Sequence, residues 1–275
     1  MTARSSCSGP VPKKSLGQHF LSDPRILHRI RAALPAPAGA RVLEIGPGRG
    51  ALTRELLAAG FRVTGIERDR DLVPMLRSRF PDVSLVEGDA LEVDWVASLG
   101  ADPGAWYLIG NIPYNITSPL IDRALETDPL PESIVYLVQK EVALRLAAEP
   151  GTAEYGALTV GVQAAARVER LFTVPAGAFQ PVPKVDSAVV RLTPKPADLR
   201  PPDARRFRRI VVGLFGARRK QLVRGLQTGL GFSAEAARRV VERAGLDPAR
   251  RPETFSGAEF RRLELAVVDE RWDAG

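Results

Sequence analysis

Val42-Leu-Glu44-Ile-Gly46-Pro-Gly48-Arg-Gly50-Ala51 decides the fold class. Its first half is a short run of branched apolar residues, the composition of a strand buried on both faces. Three alternating glycines follow, and then a helical pattern over residues 51–59. Glycine lets the backbone turn tightly and lets a ligand come close to it. Strand, glycine turn and helix in that order open a βαβ unit. The glycines also satisfy the dinucleotide pattern G-x-G-x-x-A, so by themselves they do not choose a ligand.

The same alternation continues outward. Strands are expected at 62–66, 83–86, 106–110 and 133–138, with helices at about 71–80, from Ser118 onward and at 139–148. Upstream, Asp23-Pro24 reads as the N-cap and first position of a helix running to Leu34. Strands separated by helices imply a parallel sheet with right-handed crossovers. Segments 167–174 and 187–193 have a proline-rich loop between them and no room for a long helix, so they are expected as an antiparallel hairpin closing the sheet edge. The stretch 194–202 holds four prolines and reads as a linker. Helices are then expected at 203–215, 218–226, 233–244 and 256–268. The predicted architecture is α/β and Rossmann-like, with a mostly parallel sheet and a small all-α C-terminal domain. Its divisions are a basic arm (1–22), the sheet domain (23–195) and the helical domain (196–275).

Composition narrows the function classes. Of the 275 residues, 45% are hydrophobic and 26% charged, an ordinary globular balance. No apolar run reaches the roughly 20 residues that span a bilayer. Cys7 stands alone and the histidines are His19 and His28, so neither a disulfide framework nor a metal centre is expected. A reducing cytoplasm is the expected compartment. The formal charge is +7, and it is segregated. Residues 1–31 carry a net +5 and residues 195–251 a net +10, while the body between them carries −5. An acidic body flanked by basic segments points to a polyanionic partner.

Three further features lie at successive strand ends. Glu67 follows Gly46 by 21 residues, where a carboxylate can accept hydrogen bonds from ribose hydroxyls. Gly88-Asp89-Ala90 puts an acid where an adenine amino group can be met. Asn111-Ile112-Pro113-Tyr114 ends the fourth strand, at the edge where open α/β sheets bind ligands. An exocyclic aromatic amine is a poor nucleophile, because its lone pair is delocalised into the ring. Two acceptors on its N–H groups pyramidalise the nitrogen and aim that lone pair. The Asn111 side-chain carbonyl and the Ile112 main-chain carbonyl, followed by a proline without an N–H, suit this role. Tyr114 offers a stacking face. No strong base is needed, since the attacked nitrogen becomes acidic as it gains positive charge.

On these residues the chain resembles the ribosomal RNA adenine dimethyltransferases of the small subunit. The likeness runs through Lys14-Ser-Leu-Gly-Gln-His-Phe-Leu21, Glu44-Ile-Gly-Pro-Gly48, Glu67-Arg-Asp69, Gly88-Asp-Ala90, Asn111-Ile-Pro-Tyr-Asn-Ile-Thr-Ser-Pro119, Gln139-Lys-Glu141, Phe179-Gln-Pro-Val-Pro-Lys-Val-Asp-Ser187 and Arg218-Arg-Lys220. The resemblance implies a class I methyltransferase sheet and S-adenosylmethionine as methyl donor, without a metal. It implies donor contacts at His19, Leu21, Gly46, Glu67, Asp89 and Asn111. The acceptor would be two adjacent adenosines near the 3′ end of 16S rRNA in the small subunit, and the enzyme a monomer. The family usually has Asn where this chain has His19. Phe179 resembles the second aromatic of the target-base pocket; a buried loop anchor is its other reading. Lys13, Lys14, Arg205, Arg208, Arg218, Arg219 and Lys220 are the expected phosphate contacts. A related family that dimethylates 23S rRNA shares fold and acceptor motif and is the nearest alternative. A nicotinamide oxidoreductase fits the glycines and Glu67 but leaves Asp89 and Asn111–Tyr114 unexplained, and a non-catalytic RNA-binding factor leaves the donor residues unexplained.

Overall fold

The computed structural model describes residues 11–13, 16–100 and 104–270. Lys14 lies outside them. After a two-residue strand β1 (Phe20–Leu21), Asp23 caps helix α1 (Pro24–Ala32), its carboxylate accepting from the Arg25 and Ile26 amides. The alternation then runs β2 (Arg41–Ile45), α2 (Ala51–Ala58), β3 (Arg62–Glu67), α3 (Val73–Arg79), β4 (Ser84–Glu87), α4 (Trp95–Ser98), β5 (Trp106–Asn111), α5 (Thr117–Glu126), β6 (Ser133–Gln139) and α6 (Lys140–Leu146). Beyond it come α7 (Ala157–Ala165), β7 (Ala166–Val174), β8 (Phe179–Gln180) and β9 (Ser187–Pro194). The remaining helices are α8 (Ala204–Gly216), α9 (Leu222–Leu230), α10 (Ala234–Arg243) and α11 (Gly257–Asp269).

Seven strands form one sheet in the order β4-β3-β2-β5-β6-β9-β7. β4, β3, β2, β5 and β6 are parallel, and β9 runs antiparallel to β6. Val42, Leu43, Leu108, Ile109 and Ile134 through Val138 have no exposed surface, as a parallel sheet covered on both faces requires. The expected sheet, mostly parallel with an antiparallel closing edge, is what the chain forms. The chain order reverses between β2 and β5: β3 and β4 lie to one side and β6 to the other. Such a switch point leaves a crevice at the carboxyl ends of the two central strands. Gly46 follows one of these strands and Asn111 ends the other.

The chain divides into two compact units, residues 1–143 with 169–194, and residues 144–168 with 195–275. The expected divisions fell after residues 22 and 195. The segment 144–168 joins the helical unit because Tyr155, Val160 and Ala164 are buried in its core with Phe207, Leu214, Phe255 and Phe260. Polar ties reinforce that packing: the Tyr155 hydroxyl donates to the Phe255 carbonyl at 2.7 Å, and Gln163 Nε2 donates to the Leu146 carbonyl at 3.0 Å. Two helices escaped the sequence reading. α7 was hidden by its mix of glycine and β-branched residues, and α4 is a single turn capped by Asp94. The helix expected at 218–226 begins only at Leu222, and residues 218–220 form a turn. α8 and α9 meet backbone to backbone: a Cβ added to Gly229 would lie 2.1 Å from the Gly213 carbonyl oxygen.

Candidate functional site

The crevice at the switch point is a cavity lined by residues 16–21 of the arm, the β2 turn, and the ends of β3, β4 and β5. Its floor is the glycine turn. Gly46, Gly48 and Gly50 have φ of +66°, +61° and +75°, the left-handed region that side chains disfavour. At Gly48 a Cβ would also press on the Phe20 ring at 3.0 Å, and at Gly50 on Phe80 at 2.2 Å. No atom lies within 4 Å of where a Gly46 Cβ would stand, so the backbone there is open.

Glu67 ends β3 and is 5% exposed. Its Oε2 accepts from the Gly48 amide at 2.9 Å and its Oε1 from the Asp69 amide at 2.8 Å. Each oxygen keeps a lone pair for a further donor. Burial pushes its carboxyl above the usual range, against the pull of those amides. Beneath the turn, Glu44 is 1% exposed and accepts from the Thr53 hydroxyl at 2.6 Å. Burial raises its carboxyl to about 8, and the nearby Glu67 adds to the shift. Asp89 accepts from the Leu91 amide at 2.9 Å and pairs with Arg68 at 3.1 Å. Gly46, Glu67 and Asp89 thus come together on the cavity wall, as their spacing predicted.

Asn111 through Tyr114 also line the cavity. Asn111 Nδ2 donates to the His19 carbonyl at 2.9 Å. That bond sets the sense of the amide and leaves Oδ1 as an acceptor without a partner among the described residues. Ile112 is buried and its amide donates to the Leu137 carbonyl at 3.1 Å, which anchors the turn to β6. Pro113 has φ −55°, and a 3-10 turn from Tyr114 to Ile116 follows. The Tyr114 hydroxyl shares a hydrogen bond with Ser187 Oγ at 2.7 Å, and partial burial raises its phenol. Its ring stacks on His19, with centroids 5.8 Å apart and planes 22° from parallel.

Phe179 does not line this cavity. It is 3% exposed, opposite Leu21 in the short β1–β8 ladder, and packs in the core with Leu27 and Ile30. Of its two readings, the buried loop anchor is the one the packing supports. Leu21 lines the cavity from the same ladder.

Sequence reasoning missed the clasp that holds the arm. Lys13 Nζ reaches Asp69 at 2.5 Å and Asp71 at 2.6 Å, and Gln18 Nε2 donates to Asp69 at 2.7 Å. Lys13, expected as a phosphate contact, is paired here with two carboxylates. These partners hold the Asp69 carboxyl below the usual range in spite of its burial, the largest influence on it, which acts the other way. The legible signal was Glu67-Arg-Asp69 facing a basic arm.

In the helical unit Arg205 and Arg208 stand on the exposed side of α8, and Arg219 and Lys220 are exposed in the turn after it. Arg218, also expected as a phosphate contact, is half-buried and its Nε donates to Glu253. Among the described residues no helix is long and apolar enough to cross a membrane.

Residues 11–260 match the family described as "Ribosomal RNA adenine dimethylase". A "Ribosomal RNA small subunit methyltransferase A" of Pseudomonas aeruginosa is 45% identical over 261 residues, covering 94% of this chain and 95% of its own. The protein of the same name from Geobacter sulfurreducens is 43% identical over 266 residues, covering 93% and 95%. Among solved structures, a dimethyladenosine transferase from Plasmodium falciparum superposes with a TM-score of 0.82 at 26% identity, covering 92% of this chain and 99% of that one. The 23S rRNA methyltransferase ErmE gives a TM-score of 0.66 at 28% identity, covering 90% and 99%. A switch-point cavity walled by Gly46, Glu67, Asp89 and Asn111, on a chain matched along nearly its whole length, leaves one conclusion: this protein belongs to the ribosomal RNA adenine dimethylase family.

Proposed function

We propose that this enzyme methylates N6 of two adjacent adenosines near the 3′ end of 16S rRNA within the small ribosomal subunit, giving N6,N6-dimethyladenosines. It acts as a cytoplasmic monomer. The feature that carries this reading is a pair of acceptors on residues lining the cavity at the end of β5: Asn111 Oδ1, left by the bond of Nδ2 to the His19 carbonyl, and the Ile112 carbonyl before Pro113. The small-subunit acceptor rests on relatives of that name at 43–45% identity, against 28% for the 23S enzyme.

The donor-side residues fit S-adenosylmethionine, which when bound supplies an electrophilic methyl group on a sulfonium. Glu67 keeps lone pairs for two ribose hydroxyls, Asp89 for an adenine amine, and Gly46 leaves the backbone open to close approach. His19 and Leu21 close the cavity from the arm. On the acceptor side, Asn111 and Ile112 each accept one N–H of the target amine and direct its lone pair. Tyr114 stacks on the extruded base; single-stranded or loop RNA lowers the cost of that extrusion, a few kcal/mol in duplex. With the donor bound, its methyl group would pass to the amine nitrogen, leaving the thioether, and the nitrogen would lose a proton to solvent without a protein base, since it becomes acidic as it gains positive charge. Arg205, Arg208, Arg219 and Lys220 in the helical unit contact RNA phosphates.

Labelled donor incubated with unmethylated small subunits, followed by mapping of the labelled base, tests this directly. Asn111→Ala should lower kcat by roughly a hundredfold, the scale for losing one preorganised hydrogen-bonding group, and Tyr114→Ala by roughly ten- to a hundredfold, the scale for losing a base stacked on an aromatic ring, with donor affinity retained for Tyr114→Ala. Label on large-subunit RNA alone, or near-normal rates in both variants, would overturn the reading.

A further inference from the structure

We propose that His19 is a positioning residue of the acceptor half of the cavity: its ring and its carbonyl hold Tyr114 and Asn111 in the arrangement that receives the target amine. The inference rests on the function proposed above. It departs from the resemblance, which groups His19 with the donor.

Three contacts of one residue carry it. The His19 carbonyl accepts from Asn111 Nδ2 at 2.9 Å. Reversing that amide would turn its NH2 toward the cavity and set donor against donor when an amine arrives, so this bond keeps Oδ1 available. The His19 ring lies on Tyr114, 5.8 Å between centroids and 22° from parallel. Tyr114 is thus held at its face by His19 and at its hydroxyl by Ser187, which fixes the plane of the ring. Finally, His19 Nδ1 stands 2.8 Å from the Pro181 carbonyl oxygen. A carbonyl only accepts, so Nδ1 carries the hydrogen and the imidazole is tied to the loop after β8. That loop follows Phe179, whose own ring is buried in the core. The aromatic group that flanks Tyr114 in this chain is therefore His19. An asparagine at position 19 could offer its amide to the Pro181 carbonyl but has no ring to lay on Tyr114.

The two roles of the side chain separate by substitution in the full-length protein. His19→Asn keeps a donor for Pro181 and removes the stack; His19→Phe keeps the stack and removes the donor; His19→Ala removes both. Steady-state kinetics on unmethylated small subunits would be measured beside titration with S-adenosylmethionine. At saturating donor, His19→Ala and His19→Asn should lower kcat roughly three- to tenfold, the range for losing an aromatic pair, while the circular dichroism spectrum and the unfolding midpoint stay those of the wild type. His19→Phe should recover most of that kcat. In a Tyr114→Ala background, His19→Ala should cost less than about twofold, because its partner is already gone. His19→Phe behaving like His19→Ala, or kcat and the unfolding midpoint falling together in every variant, would overturn the assignment. A wild-type enzyme that leaves small subunits unlabelled would instead refute the proposed function.

Discussion

Glu44→Gln should stabilise the sheet unit increasingly as pH rises. Glu44 is 1% exposed beneath the glycine turn, and burial raises its carboxyl from 4.5 to about 8. In the unfolded chain it ionises near the ordinary value. Between these two values the native state binds a proton that the unfolded state has released, so stability falls as pH rises. Each unit of difference is worth about 1.4 kcal/mol. From pH 5 to pH 8 the wild type should therefore lose about 3 kcal/mol through this one group. Glutamine is neutral in both states and can still accept from the Thr53 hydroxyl, so the variant lacks this loss. Urea unfolding followed by tryptophan fluorescence is suitable, because Trp95 and Trp106 are both buried in this unit. A Trp272→Phe background removes the remaining tryptophan. The difference in unfolding free energy between variant and wild type, plotted against pH at fixed ionic strength, should climb by about 3 kcal/mol. A flat difference across that range would show that Glu44 is ionised in the native protein and that the burial argument fails.

Lys13→Ala unfastens one half of the arm clasp while Gln18 still holds Asp69; S-adenosylmethionine affinity should fall by a factor of roughly two to five, the range for exposed ion pairs, and the gap from wild type should close at high salt. An equal gap at every salt concentration would mean the pair acts through shape and not charge. Replacing Arg219 and Lys220 together by Glu should flatten the dependence of log RNA affinity on log salt by roughly two units, with donor affinity unchanged. An unaltered slope would remove that turn from the RNA-contacting surface.

How much of this was legible beforehand differs by element. The central strands could be read because a buried parallel strand must be a short branched apolar run, and the glycine turn because only glycine tolerates three left-handed positions in five residues. The strand-end residues Glu67, Asp89 and Asn111 followed from the same alternation. Segment 144–168 could not be placed, since its allegiance depends on Tyr155 finding Phe255 a hundred residues later. The turn at 218–220 was read as helix because arginine and lysine favour helices, and local propensity yields to tertiary contacts such as Arg218 with Glu253.

The order of residues alone determined the sheet, the glycine floor and the placement of Asn111–Tyr114 at the end of the fourth strand of the alternation. These are consequences of local backbone preference and of apolar periodicity, both written along the chain. Folding in three dimensions decided that Lys13 clasps Asp69, that Phe179 is withdrawn into the core, and that the His19 ring lies on Tyr114. Each of those pairs residues more than fifty positions from their partners or depends on burial among many elements at once, and no local pattern encodes such a meeting.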